Sequence, residues 1–205
     1  EDWDLLIPLI QKSYPLADRS GRSMRIAGVL SDGFGKEGVT EKAMAFYRRL
    51  PAELRPHFRF VKGEHKPGAP LIEQRWPDSR NRSDRKGATR GDVPILFLNS
   101  NRLKDRLSGD LDRDQQGAGY IHFPGWLGEW FFKELTNEKR DKDGNWKGTG
   151  RNEAGDLLCY TEAGAILGFP FSLSTRVRMR GIDSPGFWET PPDWVIKLGT
   201  IADSR

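Results

Sequence analysis

Residues 93–100, VPILFLNS, are the most hydrophobic strand-like run in the chain, and they pass directly into an amphipathic segment, NRLKDRLSGDL. The spacing predicts a buried strand feeding a short helix, with Asn99 or Ser100 as its cap. A strand joined to a helix in this way belongs to a layered α/β core, and the rest of the chain repeats the alternation. Residues 2–13 read as a helix with Asp2 at its N-cap and Trp3, Leu6, Ile7 and Ile10 on one stripe, Pro8 allowing a kink. The run from Met24 to Leu30 reads as a buried strand ending at Asp32, with Gly33 and Gly35 giving a tight exit. A helix from Thr40 to Leu50 follows, with Ala43, Phe46, Tyr47 and Leu50 on one face and Pro51 as its stop.

FRFVKG, residues 58–63, is the next expected strand, ahead of a long irregular segment. GYIHFP predicts a strand to His122, Pro124-Gly125 a turn, and the following residues an aromatic helix to Asn137 with Trp126 and Trp130 in the core. A charged glycine-rich loop, KRDKDGNWKGTG, then leads into the helix of RNEAGDLLCYTEAGAIL, residues 151–167. From Gly168 to Arg205 the chain is rich in proline and aromatic residues, an extension expected to wrap the surface or form a small hairpin rather than fold alone.

With 205 residues, 36% of them hydrophobic and 30% charged, one ordinary domain with a real core is expected. The single cysteine, Cys159, excludes a disulfide framework and a cysteine-based zinc site, and points to a reducing compartment. No run reaches the length of a membrane span and EDWDLLIPLIQ lacks the basic flank of a signal peptide, so a soluble protein with no membrane partner is expected. The net charge of +4 is unevenly placed, because RWPDSRNRSDRKGATRGD, residues 75–92, gathers arginine and lysine in a segment with no apolar period. Such a stretch suits an anionic partner such as nucleic acid; a solvated loop is the other reading.

Several chemistries fail on the residues themselves. There is no P-loop, no dinucleotide fingerprint and no nucleophile elbow, and the three histidines, His57, His65 and His122, are scattered. Carboxylates remain. Asp32 stands where a buried strand ends, and Asp156 stands in the first turn of a helix with Glu153 three residues earlier. Alone, the helix acids answer the helix dipole and Asp32 answers an Asp-Gly turn. Together they supply hard oxygen donors of the kind Mg²⁺ or Mn²⁺ takes, which permits a two-metal nuclease.

Four segments in order, SDGFGKEGVTEKAMAFYRRL, FRFVKGEHKPGAP, GYIHFP with KELTNEK, and RNEAGDLLCYTEAGAI, resemble the C-terminal part of the large terminase subunit of tailed phages of the lambda type. The resemblance implies an α/β fold: an RNase H-like mixed sheet flanked by helices, with residues 1–167 as the nuclease domain and 168–205 as its extension. It implies an endodeoxyribonuclease that cuts concatemeric viral DNA during packaging, with two Mg²⁺ or Mn²⁺ ions held by Asp32 and Asp156. Glu153 and His122 fall in matching motifs beside the site, and His122 would donate to a phosphate or shuttle a proton. Lys62 and the loop cations Arg75, Arg80, Arg82, Arg85 and Lys86 would meet double-stranded DNA. The implied partners are the small terminase subunit, the portal and an upstream ATPase segment, in the host cytoplasm.

In an RNase H-like fold, strands bearing the first catalytic acid precede the first helix. This chain opens on that helix, so the first strands and that acid are expected upstream. A non-cleaving DNA- or portal-binding module is the alternative, and another RNase H-like enzyme, a resolvase or transposase, is a third and weaker one.

Overall fold

The computed structural model describes residues 2–15, 21, 23–35, 38–66, 68–76, 91–117 and 119–167. The chain starts as a 3-10 turn, Asp2–Leu5, and continues as α1, Leu6–Gln11. Pro8 lies in the first turn of α1, where a missing N–H removes no helical hydrogen bond, so the proline is accommodated. Ile10 is buried, and Trp3, Leu6 and Ile7 pack against the same core, the stripe expected from their spacing.

The single strand expected from Met24 to Leu30 is two. β1, Ser13–Pro15, pairs antiparallel with β2, Ser23–Arg25, and the chain then leaves that ladder before β3, Val29–Asp32. Between them the Ala27 carbonyl lies 2.7 Å from His57 Nδ1, a hydrogen bond to a side chain in place of a ladder partner. α2, Val39–Arg49, ends against Leu50 and Pro51, and it buries Ala43, Phe46 and Tyr47, with Leu50 beneath its end. β4, Phe58–Glu64, β5, Ile72–Arg75, β6, Ile95–Asn99, and α3, Ser100–Leu111, follow. Asn99 caps α3, accepting the Arg102 N–H at 3.2 Å, and its amide donates to Ala69 O at 3.0 Å, so the buried side chain is used at both ends.

These strands form a four-stranded sheet in the order β3-β4-β6-β5, parallel except for β5. Residues 58–61 of β4 and nearly all of β6 are buried because both faces of the sheet are covered there. Phe58, Phe60 and Ile95 pack on one face with α1 and α2, whereas Val61, Leu96 and Leu98 pack on the other with Leu103 and Leu107 of α3 and with the last helix. The result is a mixed, mostly parallel sheet flanked by helices, consistent with the RNase H-like fold expected from sequence.

Three local expectations fail beyond α3. Residues 120–122 form no strand, since Gly117 and Gly119, at φ +149° and +79°, turn the chain on one side and Pro124 follows on the other. The aromatic helix is short, α4, Glu129–Leu135, and Trp126 and Trp130 are 80% and 61% exposed. They are displaced from the core because Phe123, Phe131 and Phe132 form their own cluster, with ring centroids 5.3–5.8 Å apart. Finally, the charged loop is an antiparallel hairpin of β7, Glu138–Arg140, and β8, Trp146–Gly148. Its turn is built by Asp141, whose Oδ1 accepts the N–H groups of Asp143 and Asn145, both at 2.9 Å, with Gly144 at φ +81°.

The last helix is α5, Glu153–Leu167. Leu157 and Ile166 are exposed; the buried side is Ala154, Gly155, Cys159, Ala163 and Gly164. Small residues bring α5 close to α3, α4 and β3.

Candidate active site

The parallel strands β3, β4 and β6 all end on one side of the sheet, at Asp32, Glu64 and Asn99. Crevices at the carboxyl ends of such strands are where α/β folds place reactive side chains. Asp32 is the last residue of β3 and exposed, and its Oδ1 accepts the Phe34 N–H at 2.8 Å, so the turn after the strand fixes the carboxylate. That turn needs glycine next: a Cβ on Gly33 would lie 2.5 Å from the Phe60 ring.

α5 supplies two acids from its first turn. Asp156 Oδ1 lies 2.9 Å from Lys104 Nζ, and its Oδ2 accepts from Asn152 Nδ2 at 3.3 Å. Lys104 comes from α3, is only 11% exposed, and also bonds Glu138 of β7. Burial opposes the charge on Lys104, but the hydrogen bonds and charges of Glu138 and Asp156 outweigh it and its pKa is raised. Glu153, one turn earlier, is exposed, and no hydrogen bond or ion pair holds it among the described residues.

Tyr160 lies within the electrostatic reach of these acids. Burial raises the pKa of its phenol, and the negative charges of Asp32, Asp156 and Glu153, in that order, raise it further. Three carboxylates from β3 and α5, two elements in direct contact, therefore act electrostatically on one side chain.

Over residues 1–172 the chain matches the family described as terminase large subunit gpA, endonuclease domain. The chain belongs to that family. The match runs through Asp32, Glu153 and Asp156, and with it comes an assignment as a nuclease of a phage terminase. Neither a curated protein nor a solved structure matches the chain.

In this terminase endonuclease domain the other residues expected at the site divide. Lys62 follows Val61, the partner of Asp32 in the ladder, and its Nζ lies 5.2 Å from the Phe34 ring centroid, so it stands at the same sheet end. Arg75 is engaged elsewhere: it pairs with Glu64 at 2.8 Å and with Glu73, and covers the Phe97 ring at 4.3 Å. His122 is exposed in the irregular segment and its ring contact is with Tyr120, 4.8 Å between centroids. Arg80, Arg82, Arg85 and Lys86 lie outside the described residues, as does the 168–205 extension.

Sequence reasoning missed Lys104, Glu138 and Tyr160. A signal for Lys104 was present, because it stands beside Leu103 and on the helical stripe of Leu107 and Leu111, where a cation requires a buried partner. For a divalent ion the donors fit in kind, being carboxylate oxygens at a strand end. They do not fit in number, since no group of three or more His, Cys, Asp or Glu side chains lies close enough to hold a metal among the described residues.

Proposed function

We propose that this terminase endonuclease domain hydrolyses phosphodiester bonds of double-stranded viral DNA with the aid of two divalent ions, Mg²⁺ or Mn²⁺. The observation that carries this reading is the place of Asp32 at the carboxyl end of β3, a strand in contact with α5, whose first turn bears Glu153 and Asp156. When bound, such ions make a nucleophile of water at neutral pH and stabilise the leaving 3′ oxygen.

The chain's own residues have distinct tasks in this reading. Asp32, fixed by the Phe34 N–H, and Asp156, fixed by Lys104 and Asn152, are the proposed metal-holding pair, with Glu153 as a third, unpartnered carboxylate on the same rim. Lys62 neutralises a phosphate at the sheet end. His122, on the irregular segment beside Tyr120, is the proposed phosphate donor or proton shuttle.

The missing ligand has a place to come from. Among the described residues β3 is an edge strand, and beside it lies a groove of about 400 Å³ lined by Ile26, Val29, Leu30, Leu157 and Tyr160. An apolar strand edge left unpaired invites a further strand. A further strand adding there and bearing another acid would bring the ligand count to what two ions need. The wider setting, cutting of concatemeric DNA in the host cytoplasm beside an upstream ATPase segment, the small subunit and the portal, rests on family membership alone.

The second reading, a module that binds DNA or the portal without cutting, is favoured by the lack of a three-ligand cluster among the described residues. Incubation with supercoiled plasmid separates the two, using this chain and a form extended upstream, in Mn²⁺ or in EDTA. The nuclease reading predicts nicking that needs Mn²⁺ and is lost in Asp32→Asn and in Asp156→Asn. Nicking that survives both substitutions sinks it. Duplex binding without nicking in either form supports the module.

A further inference from the structure

The β7–β8 hairpin has one face that grips the protein and one that does not. Glu138 bonds Lys104, Arg140 pairs with Asp105 at 3.3 Å, and Trp146 Nε1 donates to Asp105 at 2.9 Å, so these alternate residues dock the hairpin on α3. The strand register sets Lys139 directly opposite Lys147, on the other face. Like charges facing each other across a ladder destabilise it, so this pair opposes the hairpin that carries it. Lys147 is 70% exposed and reaches Asp141 at 2.8 Å; Lys139 is exposed, with no ion pair among the described residues. Arg151, 78% exposed and 3.4 Å from Glu134, continues the cationic side towards α5. Exposed ion pairs of this kind are worth little and yield readily to a stronger anion.

The hairpin is also held next to the candidate site. Lys104 joins Glu138 of β7 to Asp156 of α5, and Asn137 Nδ2 donates to Arg151 O at 3.1 Å, closing the base of the hairpin onto the start of the helix. We propose that Lys139, Lys147 and Arg151 form a clamp for the phosphate backbone of duplex DNA, which seats the strand to be cut over Asp32 and α5. The inference rests on the nuclease reading for its substrate, and it assigns DNA contacts that sequence reasoning placed only at Lys62 and the 75–92 loop. An exposed cationic hairpin face suits the phosphates of a duplex, and Lys and Arg contacts to phosphate carry no base specificity.

The test is anisotropy of a labelled duplex with the full chain, in EDTA, over a series of salt concentrations. In Lys139→Ala/Lys147→Ala, Kd rises about tenfold and the slope of log K against log salt falls by about two, one for each phosphate that is no longer neutralised. Lys12→Ala/Lys42→Ala, just past α1 and on α2 across the sheet, leaves both unchanged. K139E sets opposite charges across the ladder and leaves the Lys147–Asp141 pair intact, so it holds or raises Tm while weakening binding, an outcome that misfolding cannot mimic. Unchanged affinity in the hairpin variants, or equal loss in both double variants, overturns the clamp. So does displacement of the duplex by polyglutamate at equal charge concentration, which assigns the face to an acidic protein instead. Nicking by the wild type with an unaffected hairpin variant removes the clamp and leaves the nuclease. Hairpin-dependent binding with no Mn²⁺-dependent nicking does the reverse.

Discussion

Lys104 Nζ lies 2.9 Å from Asp156 Oδ1 while also bonding Glu138, so one ammonium on α3 ties the first turn of α5 to the hairpin before it. A carboxylate at the head of an apolar helix answers more than the helix dipole when a nearly buried lysine is its partner. The arrangement fixes where Asp156 points and neutralises part of its charge, and among the described residues it leaves Glu153 and the outer oxygen of Asp32 as the unpaired acids of the rim.

Removing the tie is expected to be costly. Lys104→Met leaves Glu138 and Asp156 facing each other without a cation, and a loss of about 3 kcal/mol in urea denaturation is expected, as for breaking a buried pair. Glu138→Gln added to Lys104→Met recovers part of that loss, because one of the two orphaned charges is gone. Equal stability of Lys104→Met and the wild type contradicts the role given to the lysine.

Two glycines that look alike in sequence behave in opposite ways. A Cβ on Gly155 meets only the Leu135 carbonyl, at 3.9 Å, so Gly155→Ala gains helix propensity of about 0.5–1 kcal/mol at ordinary contact distance, a rise of a few degrees in Tm. Gly33→Ala drives a methyl into Phe60 at 2.5 Å and is expected to lose about 1–3 kcal/mol by thermal melting.

The contrast between those glycines shows what the sequence could convey. Periodicity placed α2, β4, β6, the cap at Asn99 and the stripe of α1, because a burial pattern is local and survives without knowledge of the partner. It misplaced Trp126 and Trp130, since aromatic character alone does not say whether a short helix lies over the core or beside it. The hairpin was hidden because its strands, EKR and WKG, hold too few apolar residues to alternate, and the Asp141 turn that creates it is a matter of side-chain hydrogen bonds. Asp32, Glu153 and Asp156 were legible as acids at element ends, whereas the Lys104 bridge between three elements depends on tertiary contact.

Alkali is expected to unfold the domain in part through Cys159. Burial pushes its thiol up to about 12, against an ordinary value of 9.0, so the unfolded chain releases its proton first. The stabilisation is whole below about pH 9 and declines as pH rises towards 12, by about 1.4 kcal/mol per unit from this group. Urea denaturation at pH 8, 9 and 10 should show that slope, and Cys159→Ala should remove it between pH 9 and 10 while costing about 1 kcal/mol at pH 8. A thiol reagent that labels the native protein at pH 8 as fast as the unfolded chain contradicts the burial.

A divalent ion lying between the end of β3 and the start of α5 is the central requirement of the nuclease reading. Replacing Mg²⁺ by Fe²⁺ and generating hydroxyl radicals at the bound ion maps it directly, since the backbone is cut only where the metal sits. Cuts beside Asp32 and at residues 153–156, suppressed by excess Mg²⁺ and lost in Asp32→Asn, are the expected result. Cuts elsewhere in the chain, or a pattern indifferent to Mg²⁺ and to Asp32, contradict it.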